Sequence, residues 1–106
     1  MEAVKFIETH AENNNGNPFF LYFPLPAPHT PWMPRSEFLG KSDAGRYGDF
    51  VSQVDHTVGE VLRVLDEKGL AGNTLVFLSS DNGAYWFPAN IEEFNHRSNY
   101  IFSGMK

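Results

Sequence analysis

The 106-residue chain contains no cysteine, which excludes disulfides, thiolate metal sites and a cysteine nucleophile within these residues. Positive charge is scarce as well. Eight Lys and Arg stand against thirteen Asp and Glu, for a net charge of −5 and a pI near 5.2. A protein that grips a phosphate backbone needs a basic face. The basic grouping present, Arg35, Lys41 and Arg46, is scattered, so nucleic acid is not an expected partner. No apolar run approaches the ~20 residues of a bilayer-crossing helix. "MEAVKFIETH" lacks the apolar centre of a signal peptide, so an exported parent protein would carry its signal elsewhere. Internal repeats are absent, and "NNNGN" is the one short low-complexity stretch.

What is there has the content of a globular unit, 42% hydrophobic and 15% aromatic, enough for one compact body and no more. Ala3, Val4 and Ile7 recur at helical spacing and "ENNNGNP" stops that helix. "FFLYF", Phe19 to Phe23, is a continuous apolar run and predicts a strand covered on both faces. The five prolines of "PLPAPHTPWMPRSEF" then require a stiff extended loop.

From Tyr47 to Lys68, the positions Tyr47, Phe50, Val51, Val54, Val58, Val61, Leu62 and Leu65 trace one buried helical face, with Asp49, Gln53, Glu60, Arg63 and Glu67 outside it. Gly69 reads as a left-handed cap with Leu70 packing back on the last turn. "NTLVFLSS" predicts a second buried strand. Strand, helix-containing connection and strand make an α/β arrangement: a βαβ unit with two buried parallel strands and a long crossover helix. On that expectation the loops after Phe23 and after Ser80 leave the same sheet edge, and His29 and Asp81-Asn82 face one site.

Asp81-Asn82-Gly83 itself has two readings. Asn-Gly is a turn former that takes positive backbone angles, yet no second alternating strand follows to complete a hairpin. Alternatively, Asp81 and Asn82 offer hard oxygen donors suited to Ca²⁺ or Mg²⁺. Two ligands fall short of the ~6 to 8 that calcium takes, so other segments would supply the rest. His29, between Pro28 and Pro31, is either a loop-packing residue or a site residue. His10, His56 and His96 carry no such signal, and Lys106 alone is an ordinary terminal lysine. Trp32, Trp86 and Phe87 flank the candidate site, as packing or as the lining of a substrate mouth.

Taken together, "PFFLYFPLPAPHTPWMP", then "GRYGDFVSQVDHTVGEVLRVLDEKGLAGNTLVFLSSDNG" and "HRSNYIFSGMK" resemble the middle to later part of a type I sulfatase. That is the arylsulfatase family of the alkaline-phosphatase-like superfamily, and the resemblance runs from about Phe6 to Lys106. It implies that residues 1–106 are part of a catalytic domain whose parent hydrolyses sulfate esters. By the same resemblance Asp81 and Asn82 are calcium ligands, with Ca²⁺ ahead of Mg²⁺, while His29 and Lys106 bind and act on the sulfate. The family's nucleophile is a formylglycine made from a Cys/Ser-x-Pro-x-Arg motif, which this chain does not contain. The paired aspartates that complete the family's calcium site also have no counterpart here.

The chain is therefore expected to be a piece of a sulfatase, inactive by itself, with its parent exported by family habit. Two other expectations stand beside this one. A phosphodiesterase or phosphatase relative would share the superfamily, but the paucity of histidine near "SSDNG" disfavours it. A non-catalytic binding domain would keep the fold without the nucleophile.

Overall fold

The computed structural model describes residues 1–13, 16–102 and 105. Three α-helices organise them: α1 (Glu2–Asn13), α2 (Gly45–Glu67) and α3 (Pro88–Phe94), with 3₁₀ turns at Ser36–Phe38 and Ala71–Asn73. At 1.5 Å per residue, the 23 residues of α2 make a rod about 34 Å long. Its two halves do different work.

The C-terminal half of α2 packs on α1. Ile7, Val64 and Leu65 form a buried cluster, and Val4, Phe19, Leu21, Val61 and Leu70 close around it. The three- and four-residue spacing that predicts both helices brings Ile7, Val61 and Leu65 onto facing stripes. Val64, however, is not on the expected face, and Val51 and Leu62, which are, stand 38% and 47% exposed. α2 ends as its sequence requires. Gly69 takes φ 68°, the Leu70 N–H donates to the Leu65 carbonyl at 2.8 Å, and the Gly69 N–H donates to Asp66 at 2.9 Å. These are the two bonds of a Schellman motif, and they turn Leu70 back onto the cluster.

The α/β expectation does not hold. Among the described residues there is no strand, and so no βαβ unit and no pair of parallel strands. Both apolar runs are without regular secondary structure and unpaired. In the first, Phe19 and Leu21 turn toward the α1–α2 cluster while Phe20 and Tyr22 are 88% and 78% exposed. In the second, Leu75, Phe77 and Leu78 are 80%, 87% and 72% exposed. The physical reason is that an apolar run specifies a need for burial and not the element that meets it. A strand exists only through ladder bonds to a neighbour, and neither run pairs with the other or with anything else described. α2 meets α1 instead of crossing over a sheet.

Candidate functional site

The N-terminal half of α2 anchors the proline-rich loop, and it does so mostly through backbone groups. Asp49, 3% exposed, accepts N–H bonds from Gly40 (2.9 Å) through Oδ2 and from Lys41 (3.0 Å) and Ser42 (2.9 Å) through Oδ1. The Gly40 N–H above all holds its carboxyl below the ordinary value. Burial opposes this, while the N–H groups of Ser42 and Lys41 and the charge of Arg46 assist. One turn on, Gln53 Oε1 accepts the Arg35 N–H at 2.8 Å. Phe38 lies on His56 with ring centroids 5.4 Å apart, so His56 packs against the loop.

His29 sits exposed at the apex of that loop. Its N–H donates to the Pro26 carbonyl at 3.2 Å, and the Ala27–Pro28 and Thr30–Pro31 peptides on either side are both cis. Nδ1 lies 2.6 Å from the Thr30 carbonyl oxygen. A carbonyl only accepts, so Nδ1 carries the proton and the neutral ring is the Nδ1–H tautomer.

Asp81 and Asn82 lie at the far end of the second apolar run, both exposed, in a bend. The Ser80 hydroxyl donates to the Asn82 carbonyl (2.7 Å), and the Asn82 side-chain amide donates to the Gly83 carbonyl (2.8 Å). The second bond occupies the nitrogen end of the Asn82 amide and leaves its oxygen as the donor atom a cation would use. Positive φ occurs among the described residues at Gly16, Gly40, Gly45, Gly69, Asn95 and Tyr100, and neither Asn82 nor Gly83 is one of them. The left-handed Asn-Gly hairpin turn is thus not formed. A carboxylate and an amide oxygen fit a hard divalent cation by their chemistry. The described residues contain no group of three or more His, Asp or Glu that could hold a metal by themselves, so ligands from elsewhere are needed.

The structure joins the two loops through their neighbours. Trp32, three residues beyond His29, packs on Tyr47 (5.3 Å) and on Trp86 (6.2 Å). Trp86, four residues beyond Asn82, also packs on Tyr47 (4.9 Å) and Phe94 (5.6 Å) and is only 4% exposed. Burial pushes the Tyr47 phenol up. Of the two readings of the tryptophans, packing is what the structure shows for Trp86.

Beyond Trp86 the chain makes α3, opened by Pro88 and by Asn90 Oδ1 accepting the Phe87 N–H at 3.0 Å. It closes with Asn95 in the left-handed region. The return is pinned twice. Trp86 Nε1 donates to the His96 carbonyl (2.8 Å), and the Asn99 amide bonds both the N–H (2.8 Å) and the carbonyl (3.0 Å) of Ala84. Sequence reasoning missed Asn99 altogether, since a lone Asn in a polar stretch carries no periodic or motif signal. Lys106 lies outside the described residues.

The comparisons with known proteins agree with the motifs. The sulfatase family profile matches residues 1–104. N-acetylgalactosamine-6-sulfatase of Mus musculus is 48% identical over 84 residues, which is 78% of this chain and 16% of that protein. Arylsulfatase H of Homo sapiens is 42% identical over 87 residues, 82% of this chain and 15% of that protein. N-acetylgalactosamine-6-O-sulfatase of Bacteroides thetaiotaomicron is 42% identical over 82 residues, 77% of this chain and 15% of that protein. The chain therefore spans about one sixth of the length of these relatives. No solved structure matches it. No helix of the described residues is long and apolar enough to cross a membrane. With the profile covering nearly every residue and relatives above 40% identity, the chain belongs to the sulfatase family.

Proposed function

We propose that the parent of this chain is an exported sulfuric ester hydrolase that releases inorganic sulfate from an organic sulfate ester, and that His29, Asp81, Asn82 and Lys106 belong to its active site. The observation that carries this reading is the match of the sulfatase profile over residues 1–104. The aromatic junction of Trp32 and Trp86 supports it, because it ties the His29 loop to the segment that follows Asp81-Asn82. In this reading Asp81 and Asn82 hold a calcium ion, which supplies positive charge to the sulfate oxygens. The nucleophile, a formylglycine by family resemblance, comes from another part of the parent.

The residues of this chain orient the sulfate and stabilise charge on it. Lys106 contributes a fixed positive charge. His29, with Nδ1 donating to Thr30, presents Nε2 as a donor to an anion only in its imidazolium form, which can then pass a proton to the departing oxygen. Both contacts strengthen as negative charge moves from sulfur to that oxygen, so both favour the transition state over bound substrate.

The test is metal content and turnover in the full-length parent. Asp81→Ala should strip most bound calcium and abolish most sulfate-ester hydrolysis, and Asn82→Ala, losing a neutral ligand, should weaken calcium less. Full calcium occupancy and normal turnover in Asp81→Ala would overturn the assignment.

A further inference from the structure

The bend at Asp81-Asn82 poses a positioning problem that its own hydrogen bonds do not solve. The bonds of Ser79, Ser80 and Asn82 reach only one or two residues along the chain, so they shape the bend without fixing it to the body. Before it runs the exposed stretch Leu75 to Ser80. Among the described residues, the first long-range polar tie after that stretch is at Ala84, where Asn99 bonds the N–H and the carbonyl of the same residue across 15 positions.

We propose that Asn99 is a positioning residue for the metal-binding bend: its amide, paired with both polar groups of Ala84, holds Asp81 and Asn82 in place for calcium. The proposal rests on the calcium reading above and concerns which residue of this chain makes that reading work.

A primary amide is the side chain suited to this task. Its oxygen and nitrogen present one acceptor and one donor in a plane, so two bonds to one residue fix that residue's backbone in orientation as well as position. Asp lacks the donor for the Ala84 carbonyl, and Ser is too short to reach both groups. Ala84 and Asn99 are both half-buried, where a stranded backbone group is costly, so the pair resists opening.

Ala84 follows Asn82 by two residues. At ~3.5 Å per residue, any swing of the Ala84 backbone is carried directly into the ligand oxygens. The Trp86 bond to His96 pins the same loop a second time and leaves Asn99 at its mouth. Asn99 also precedes Lys106 by seven positions in sequence, so one amide ties the metal-binding bend to the segment that leads to the sulfate-binding lysine.

The experiment uses the full-length parent, stripped of metal and titrated with calcium by calorimetry, with hydrogen exchange followed in the peptide covering residues 81–86. The variants are Asn99→Ala, Asn99→Ser and Val64→Ala. The last lies in the distant α1–α2 cluster and controls for loss of stability. Asn99→Ala should weaken calcium about ten- to a hundredfold, the usual cost of removing a group that orients a metal ligand, and should speed exchange in the 81–86 peptide. Asn99→Ser should do the same and decides the question if Asn99→Ala does not fold. Val64→Ala should lower Tm while binding calcium as the wild type does. Wild-type calcium affinity and exchange in the Asn99 variants would overturn the proposal, and so would an equal loss of affinity in Val64→Ala. A wild-type parent that binds no calcium would overturn the calcium reading itself, a failure visible before any variant is compared.

Discussion

Asp49 Oδ2 accepts the backbone N–H of Gly40 at 2.9 Å, so a buried carboxylate on α2 holds the end of the loop that carries His29 at its apex. The bond makes the loop's position sensitive to acid. The folded state holds the Asp49 carboxyl below its ordinary value, so its contribution is fully present above the unfolded pKa. It is lost as pH falls through the lower folded one.

Asp49→Asn in the parent should therefore lower Tm by several degrees at neutral pH, because an amide nitrogen cannot accept these N–H bonds. The gap from wild type should shrink in acid, once Asp49 is protonated in both folded and unfolded chains. Thermal melts across the acid range test this, and a Tm gap that does not change with pH would refute it.

Two glycines of the same helix should respond oppositely to alanine. At Gly48 an added Cβ would lie 2.8 Å from Ser42 Cβ and 2.9 Å from Ala44 Cβ, against the strap that Asp49 holds. Gly48→Ala should destabilise by about 1 to 3 kcal/mol. At Gly59 nothing lies within 4 Å of the added atom, and Gly59→Ala should stabilise by about 0.4 to 1 kcal/mol through the lower entropy of the unfolded chain. Denaturant unfolding of both variants checks the pair; destabilisation by both would sink the second half.

His29 and Lys106 should show themselves in kcat. His29→Ala and Lys106→Ala in a folded, calcium-loaded parent should each lower kcat on the order of a hundredfold, the usual cost of losing a donor to developing charge. Steady-state kinetics decide it, and a wild-type kcat in either variant would remove that residue from the mechanism.

The 106-residue chain alone should not turn over a chromogenic aryl sulfate, since it contains no formylglycine motif. With Phe20 at 88% and Phe77 at 87% exposure, it should also self-associate. Turnover by the purified chain, free of host enzyme, would contradict the first statement, and a monodisperse monomer by light scattering the second.

The helices were legible because their signal is local. Ile7 and Leu65 fall on stripes whose period belongs to the helix itself, and Gly69 marks the cap whatever lies beyond it. Which neighbours of a stripe are covered depends on the partner: Val64, outside the expected face, is buried, while Val51 and Leu62, inside it, are 38% and 47% exposed. Phe19–Phe23 and the run before Asp81 were misread as buried strands because their burial depends on a partner that a local run of residues does not name. The candidate site was legible as motifs, through His29 and Asp81-Asn82, and not as a mechanism of placement. Asn99 and Trp86 act across 15 and 10 positions through one amide and one indole N–H, and single polar contacts of that range leave no period in the sequence.

Trp32 and Trp86 are the two tryptophans of these 106 residues, and both sit in the one aromatic junction, 6.2 Å apart. Indoles that close exchange excitation energy, and their emission responds to the water and ring contacts around them. The fluorescence of this segment is therefore an intrinsic optical gauge of the seam between the His29 loop and the Asp81-Asn82 bend. A blue-shifted, protected emission would report the two loops docked, and quenching by iodide would report them parted.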